Sequence, residues 1–118
     1  MKKILIIDDD DNIRRLLKST LAGIAEVYEA DFGKLGFNIF REESPDMILL
    51  DIMLPDTSGV ELLQKIRDED MDVKVVMITA YETIKSVIEI MNLKISGYIT
   101  KPFIVRDVRQ KISKLLES

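Results

Sequence analysis

Short apolar runs and helix-length amphipathic stretches take turns along the chain, and this alternation narrows the choice of fold more than any other feature. The runs are KILIID (3–8), EVYEA (26–30), DMILLD (46–51), KVVMIT (74–79) and GYIT (97–100). Three of them are apolar without polar alternation, the pattern of strands covered on both faces. Between the runs, apolar residues recur at spacings of three and four. The stripes are Ile13, Leu16, Leu17, Leu21; then Leu62, Leu63, Ile66; then Ile84, Val87, Ile88, Met91; and last Val105, Val108, Ile112, Leu115. Each stripe fits one face of a helix. A further helix over 33–43 is weaker, because Gly36 interrupts it. Strand then helix, five times, predicts a doubly wound α/β fold: a five-stranded parallel sheet with helices on both faces. In such sheets the crossovers are right-handed, and ligands sit beyond the carboxyl ends of the strands.

At 118 residues the chain reads as one domain, 1–118, long enough to bury a core without staples. No linker, repeat or low-complexity stretch divides it. Cysteine is absent, so neither disulfides nor thiolate metal sites are available, which suits a cytoplasmic protein. The longest apolar runs are four or five residues, and the N-terminus lacks a signal-peptide pattern, so no membrane association is expected. The net charge is −4 with no concentrated basic patch, which argues against direct nucleic acid binding. Histidine is absent as well; any phosphohistidine chemistry needs a histidine from another protein.

The end of each predicted strand contributes polar groups to one rim. The first ends in Asp8 and Asp9, the third in Asp51, the fourth in Thr79, and the fifth is followed by Lys101-Pro102. Taken singly, each has a plain structural reading: Asp51 a turn residue, Thr79 a β-branched strand residue, Lys101 a solvated loop lysine. Their convergence favours a site. Asp8 opens a run of four acids (8–11), and two unit charges about 4 Å apart repel by roughly 4 kcal/mol at an effective dielectric of about 20. A divalent cation together with Lys101 offsets that repulsion for Asp8 and Asp9. Three carboxylates and a lysine make a hard oxygen site suited to Mg²⁺. Asp10 and Asp11 are expected to turn away and serve the start of the first helix, where acids suit the dipole and the free N–H groups.

These residues, with IIDDDDNIRRLL (6–17), PDMILLDIMLPDTSGVELL (45–63), VVMITAY (75–81) and GYITKPF (97–103), resemble the receiver domain of two-component response regulators over nearly the whole chain. The resemblance implies a flavodoxin-like receiver fold with strand order 2-1-3-4-5. It implies that Asp51 takes a phosphoryl group from a sensor histidine kinase or phosphotransfer protein, with Mg²⁺ (Mn²⁺ as the alternative) as cofactor. Asp9 matches the direct metal ligand, Asp8 the acid acting through a metal-bound water, and Met53 the residue whose carbonyl completes the shell. Thr79 and Lys101 match the groups that bind the phosphoryl oxygens, and Tyr98 the aromatic that rotates inward when the site is occupied. The implied role is that of a phosphoacceptor, not a turnover enzyme. Its switch surface would comprise the fourth helix, fifth strand and fifth helix, and would serve an output domain or a homodimer. The implied Lys101–Pro102 bond is cis. Met53 and Tyr81, two residues past Asp51 and Thr79, are bulky and carry no carboxylate; they are expected to shield an aspartyl phosphate from water and slow its loss.

Departures from the family pattern are local. Where Leu-Gly-Ala is common after the fourth helix, this chain has Leu93-Lys94-Ile95, so the cap is expected at Asn92 or Lys94 in a left-handed conformation. Ile90 stands off the stripe Ile84, Val87, Ile88, Met91 of the fourth predicted helix, open to either a packing or a partner role. Rival readings fit less well. Asp8 and Asp10 match a haloacid-dehalogenase-type Asp-x-Asp-x-Thr, but residue 12 is Asn and no cap domain has room. An EF-hand loop would need Gly at 13 and Glu at 19, where Ile and Ser stand. A flavin phosphate would be repelled by the four aspartates. The remaining alternative is a receiver-like scaffold used only for protein contacts.

Overall fold

The computed structural model describes residues 1–80 and 92–118. Its elements are β1 (Lys3–Ile7), α1 (Asp11–Thr20), β2 (Glu26–Ala30), α2 (Gly33–Glu43), β3 (Met47–Asp51), α3 (Gly59–Glu69), β4 (Lys74–Thr79), β5 (Gly97–Thr100) and α4 (Val105–Glu117). The strands form one parallel sheet in the order β2-β1-β3-β4-β5, as expected. Four helices stand among the described residues; the stripe Ile84–Met91, expected to form another, lies outside them, as do Ile90 and Tyr81.

The continuous apolar strands are the three inner ones, and alternate side chains split between two cores. Leu5, Ile7, Ile48, Leu50, Val75 and Met77 face Phe40 of α2 and Leu62, Leu63 and Ile66 of α3. Ile4, Ile6, Met47, Leu49, Val76 and Ile78 face Leu17 and Leu21 of the α1 region and Val108 and Ile112 of α4. Helices therefore cover both faces, two on each among the described residues.

Two positions in the stripes read differently in three dimensions. Leu16 is 40% exposed, and Thr20 is buried in its stead, its hydroxyl donating to the Leu16 carbonyl at 2.7 Å. The buried face of α1 thus runs Ile13, Leu17, Thr20, Leu21, because a hydroxyl satisfied within its own helix is compatible with burial. Val105, at the first turn of α4, is also largely outside the core. Gly36, which weakens α2 by propensity, is needed for packing: a Cβ there would lie 2.5 Å from Ile7 Cδ1. Asn92 adopts φ 56°, the left-handed conformation expected in place of the missing glycine.

Candidate functional site

All five strand-end residues meet at the carboxyl rim. The inner strands β1, β3 and β4 are in parallel register, Ile7 beside Leu50 and Asp51 beside Ile78, so Asp8, Asp51 and Thr79 leave the sheet side by side. All three are buried. Lys101 follows β5, and its N–H donates to the Thr79 carbonyl at 2.9 Å, extending the β4–β5 ladder by one step. The Lys101–Pro102 bond is cis. From this anchor the Lys101 ammonium reaches back across the rim, donating to Asp8 Oδ2 at 2.8 Å and Asp51 Oδ2 at 3.1 Å.

The run of four acids is divided among different partners. Asp8 accepts from Lys101 and from the Asp10 N–H at 2.9 Å. Asp10 is the N-cap of α1, its Oδ1 accepting from the Asn12 and Ile13 N–H groups at 2.8 and 3.3 Å. Asp11 pairs with Arg14 one turn along. Asp9 alone is left exposed with a carboxylate that, among the described residues, meets no donor. The expectation that Asp10 and Asp11 turn toward the helix therefore holds.

Burial pushes the Asp8 carboxyl above the ordinary carboxylate range, against the hydrogen bond from Lys101. For Lys101, burial works to depress the pKa, but its contacts with Asp8 and Asp51 outweigh it and the net shift is upward. The ammonium is therefore a fixed positive charge opposite two acids. Oxygen atoms of Asp8, Asp9 and Asp51 lie within 4.8 Å of one another. Three carboxylates and no softer donor fit a hard divalent cation such as Mg²⁺.

The loop after β3 is closed against the site. The Met53 N–H donates to Asp51 Oδ1 at 3.4 Å, and Met53 pairs with Ser58 in an isolated antiparallel bridge. The Gly59 N–H donates to the Ile52 carbonyl at 2.6 Å, and a Cβ on Gly59 would fall 2.4 Å from the Asp51 carbonyl oxygen. Only glycine lets α3 begin this close to the Asp51 main chain. Met53 is 58% exposed at the rim. Tyr98, on β5, is half-buried and packs against the core on the α2–α3 side.

A rim of this geometry has counterparts in known proteins. Residues 4–113 match the family described as the response regulator receiver domain. The chain belongs to that family. A probable transcriptional regulator, ycf27, of Guillardia theta is 35% identical over 98% of this chain and 45% of its own length. The crystal structure of a CheY-like receiver domain protein from Methanospirillum hungatei superposes with a TM-score of 0.91 at 34% identity, over 99% of this chain and 94% of that one. The BeF3-activated receiver domain of DrrB, from Thermotoga maritima, superposes with a TM-score of 0.88 at 30% identity, over 100% and 99%. This receiver domain spans about half the length, or less, of the curated relatives it matches. Phosphorylation on aspartate is the general function of receiver domains, which generally hold Mg²⁺ through an acidic cluster; the Asp8–Asp9–Asp51 group is a cluster of that kind.

Two residues at the site escaped the reading of the sequence. Arg14 donates to the Asp8 carbonyl at 2.7 Å. Asp56, in the loop after β3, accepts from the N–H groups of Gly33 and Lys34 at 2.7 and 2.9 Å and so caps α2. The Asp11–Arg14 pair was legible as an i, i+3 spacing. The reach of the same guanidinium back to a strand-end carbonyl was not.

Proposed function

We propose that Asp51 is the phosphoacceptor of this receiver domain. It would accept the phosphoryl group of a phosphohistidine on a sensor histidine kinase or a phosphotransfer protein. The observation that supports this most is the Asp51 carboxylate itself: buried, one oxygen on the Lys101 ammonium, and clustered with two further acids. An Asp51 oxygen attacks phosphorus in line; the new O–P bond forms as the P–N bond breaks, and that electron pair leaves with the imidazole. Lys101, held over the rim by its ladder hydrogen bond, meets the charge on the phosphoryl oxygens. Thr79, next along the rim, offers them its hydroxyl.

Asp9 and Asp51 would hold Mg²⁺ directly, with Asp8 through water and Met53 through its carbonyl; Mn²⁺ suits the same donors. When bound, the cation supplies positive charge against which phosphoryl oxygens are placed. The domain acts as a signalling phosphoacceptor and not as a turnover enzyme, and the cytoplasm, where kinase and phosphodonor meet, is its place of action. Thr79 and Tyr98 form the switch, coupling occupancy of Asp51 to the surface of the fourth predicted helix, β5 and α4, where an output domain or a second copy docks. Met53, at the rim, and Tyr81 slow the loss of phosphate by limiting the approach of water.

Incubation with acetyl phosphate and Mg²⁺, followed by mass spectrometry, tests the assignment. One phosphoryl group is expected on the peptide containing Asp51, absent in Asp51→Asn and after chelation of the metal. Phosphate on Asp9 or Asp8, or equal labelling of Asp51→Asn, would overturn it.

A further inference from the structure

The Arg14 guanidinium sits beneath the acidic loop with three partners. Nη1 donates to the Asp8 carbonyl at 2.7 Å, Nη2 pairs with the Asp11 carboxylate, and Nε lies 3.5 Å from Glu29 of β2. Its side chain is only 14% exposed. Burial disfavours its charge, but Asp11 and then Glu29 and Asp31 hold its pKa above the ordinary value, so it is a permanent cation. The Asp8 carbonyl and the Asp9 N–H belong to one planar peptide unit. Gripping that oxygen therefore sets the plane from which Asp9 departs. From the other side, the Asp8 N–H donates to the Ala30 carbonyl at 3.1 Å, so the turn between β1 and α1 is clamped on both flanks. Asp9, the member of the run without a partner among the described residues, takes its direction from a main chain that Arg14 fixes.

We infer that Arg14 is a positioning residue for the metal site: its fork holds the Asp8–Asp9 peptide, draws Asp11 aside, and so aims the Asp9 carboxylate at the cation. The inference rests on the reading of Asp8, Asp9 and Asp51 as the Mg²⁺ ligands. A point charge is not enough for this role, because a planar fork with several donors is needed to hold a carbonyl and two carboxylates together. It also completes the account of the four-acid run. Lys101 relieves Asp8, helix N–H groups relieve Asp10, Arg14 relieves Asp11, and Asp9 alone of the four has no partner among the described residues, which leaves it to meet the metal directly.

Mg²⁺ titration of the whole chain, followed by backbone amide NMR shifts, tests this on the parent, Arg14→Met, Arg14→Lys and Lys18→Met. Lys18, on the same helix, pairs with Glu29 of β2 at 3.4 Å and makes no hydrogen bond or ion pair with residues 8–11, so it controls for loss of an α1–β2 ion pair. Arg14→Met is expected to weaken Mg²⁺ binding about ten-fold, the lower end of the effect of outer-shell partners on metal affinity. Arg14→Lys is expected to bind as weakly as Arg14→Met, and Lys18→Met to bind as the parent does. Parent-like or tighter binding by Arg14→Met overturns the inference, as does full recovery in Arg14→Lys, which would reduce the role to charge. A parent that binds no Mg²⁺ would instead overturn the metal site itself. Thermal unfolding of each variant separates these outcomes from loss of fold, and Arg14→Lys still decides the matter if Arg14→Met does not fold.

Discussion

Asp9 and Asp11 are chemically identical and two residues apart, yet the structure gives them opposite tasks. Asp11 spends its charge on Arg14, while Asp9 faces the rim without a donor among the described residues. Asp9→Ala should therefore weaken Mg²⁺ binding by more than the about 10- to 100-fold typical of an outer-shell partner, and Asp11→Ala should leave it nearly unchanged. Calorimetric Mg²⁺ titration of the two variants is the check; equal losses would mean that the run acts as one diffuse pool of charge. The sequence already marked Asp8, Asp9, Asp51, Thr79 and Lys101, because strand ends in a parallel sheet converge by topology alone. Arg14 stayed hidden for a physical reason. Its decisive partner is a main-chain carbonyl six residues back, a group that every residue carries and that no side-chain pattern singles out. Leu16 departs from its expected stripe for a related reason, since spacing cannot say whether Leu16 or Thr20 borders the buried side of α1.

At the scale of elements, the loop from β3 to α3 joins two structures that sequence distance keeps apart. α2 starts at Gly33 after Phe32, which makes no side-chain cap, and the missing acceptor arrives from Asp56. No local motif predicts a cap supplied from 23 residues away. Its carboxyl is held below the ordinary value of 3.8, first by the Gly33 N–H and also by that of Lys34. A group whose folded pKa is lowered contributes stability above its unfolded pKa, and that contribution fades as pH falls through the folded value. Because Asp56 accepts from two helix N–H groups, Asp56→Ala should cost at most about 1 kcal/mol at pH 7, the usual worth of a helix cap. Solvent at this exposed site reduces the contribution of the charge. The gap between parent and variant should close as the pH falls below about 4. Urea unfolding across this range measures it; a gap that persists in acid would mean that the carboxylate charge plays no part. The same loop carries Met53, paired with Ser58, and leads into Gly59, which lies against the Asp51 main chain.

For the whole molecule, two cores and a single sheet leave one polar rim, and that rim gathers the only cluster of three acids among the described residues able to share a cation. The alternation of strands and helices was enough to foresee the sheet and its two covered faces. Strand order came from the resemblance, since periodicity does not say which strands are neighbours. The central claim is that occupancy of Asp51, with metal, is what this domain registers. Beryllofluoride bonds to a carboxylate oxygen as a phosphoryl group does, so amide NMR spectra recorded with beryllofluoride, with and without Mg²⁺, address the claim directly. With both present, shifts are expected at Asp51, Met53, Thr79 and Lys101 and extending to Tyr98, and they should vanish without Mg²⁺ and in Asp51→Asn. An unchanged spectrum with both present, or the same shifts in Asp51→Asn, would contradict the account and leave a receiver fold that serves only as a scaffold.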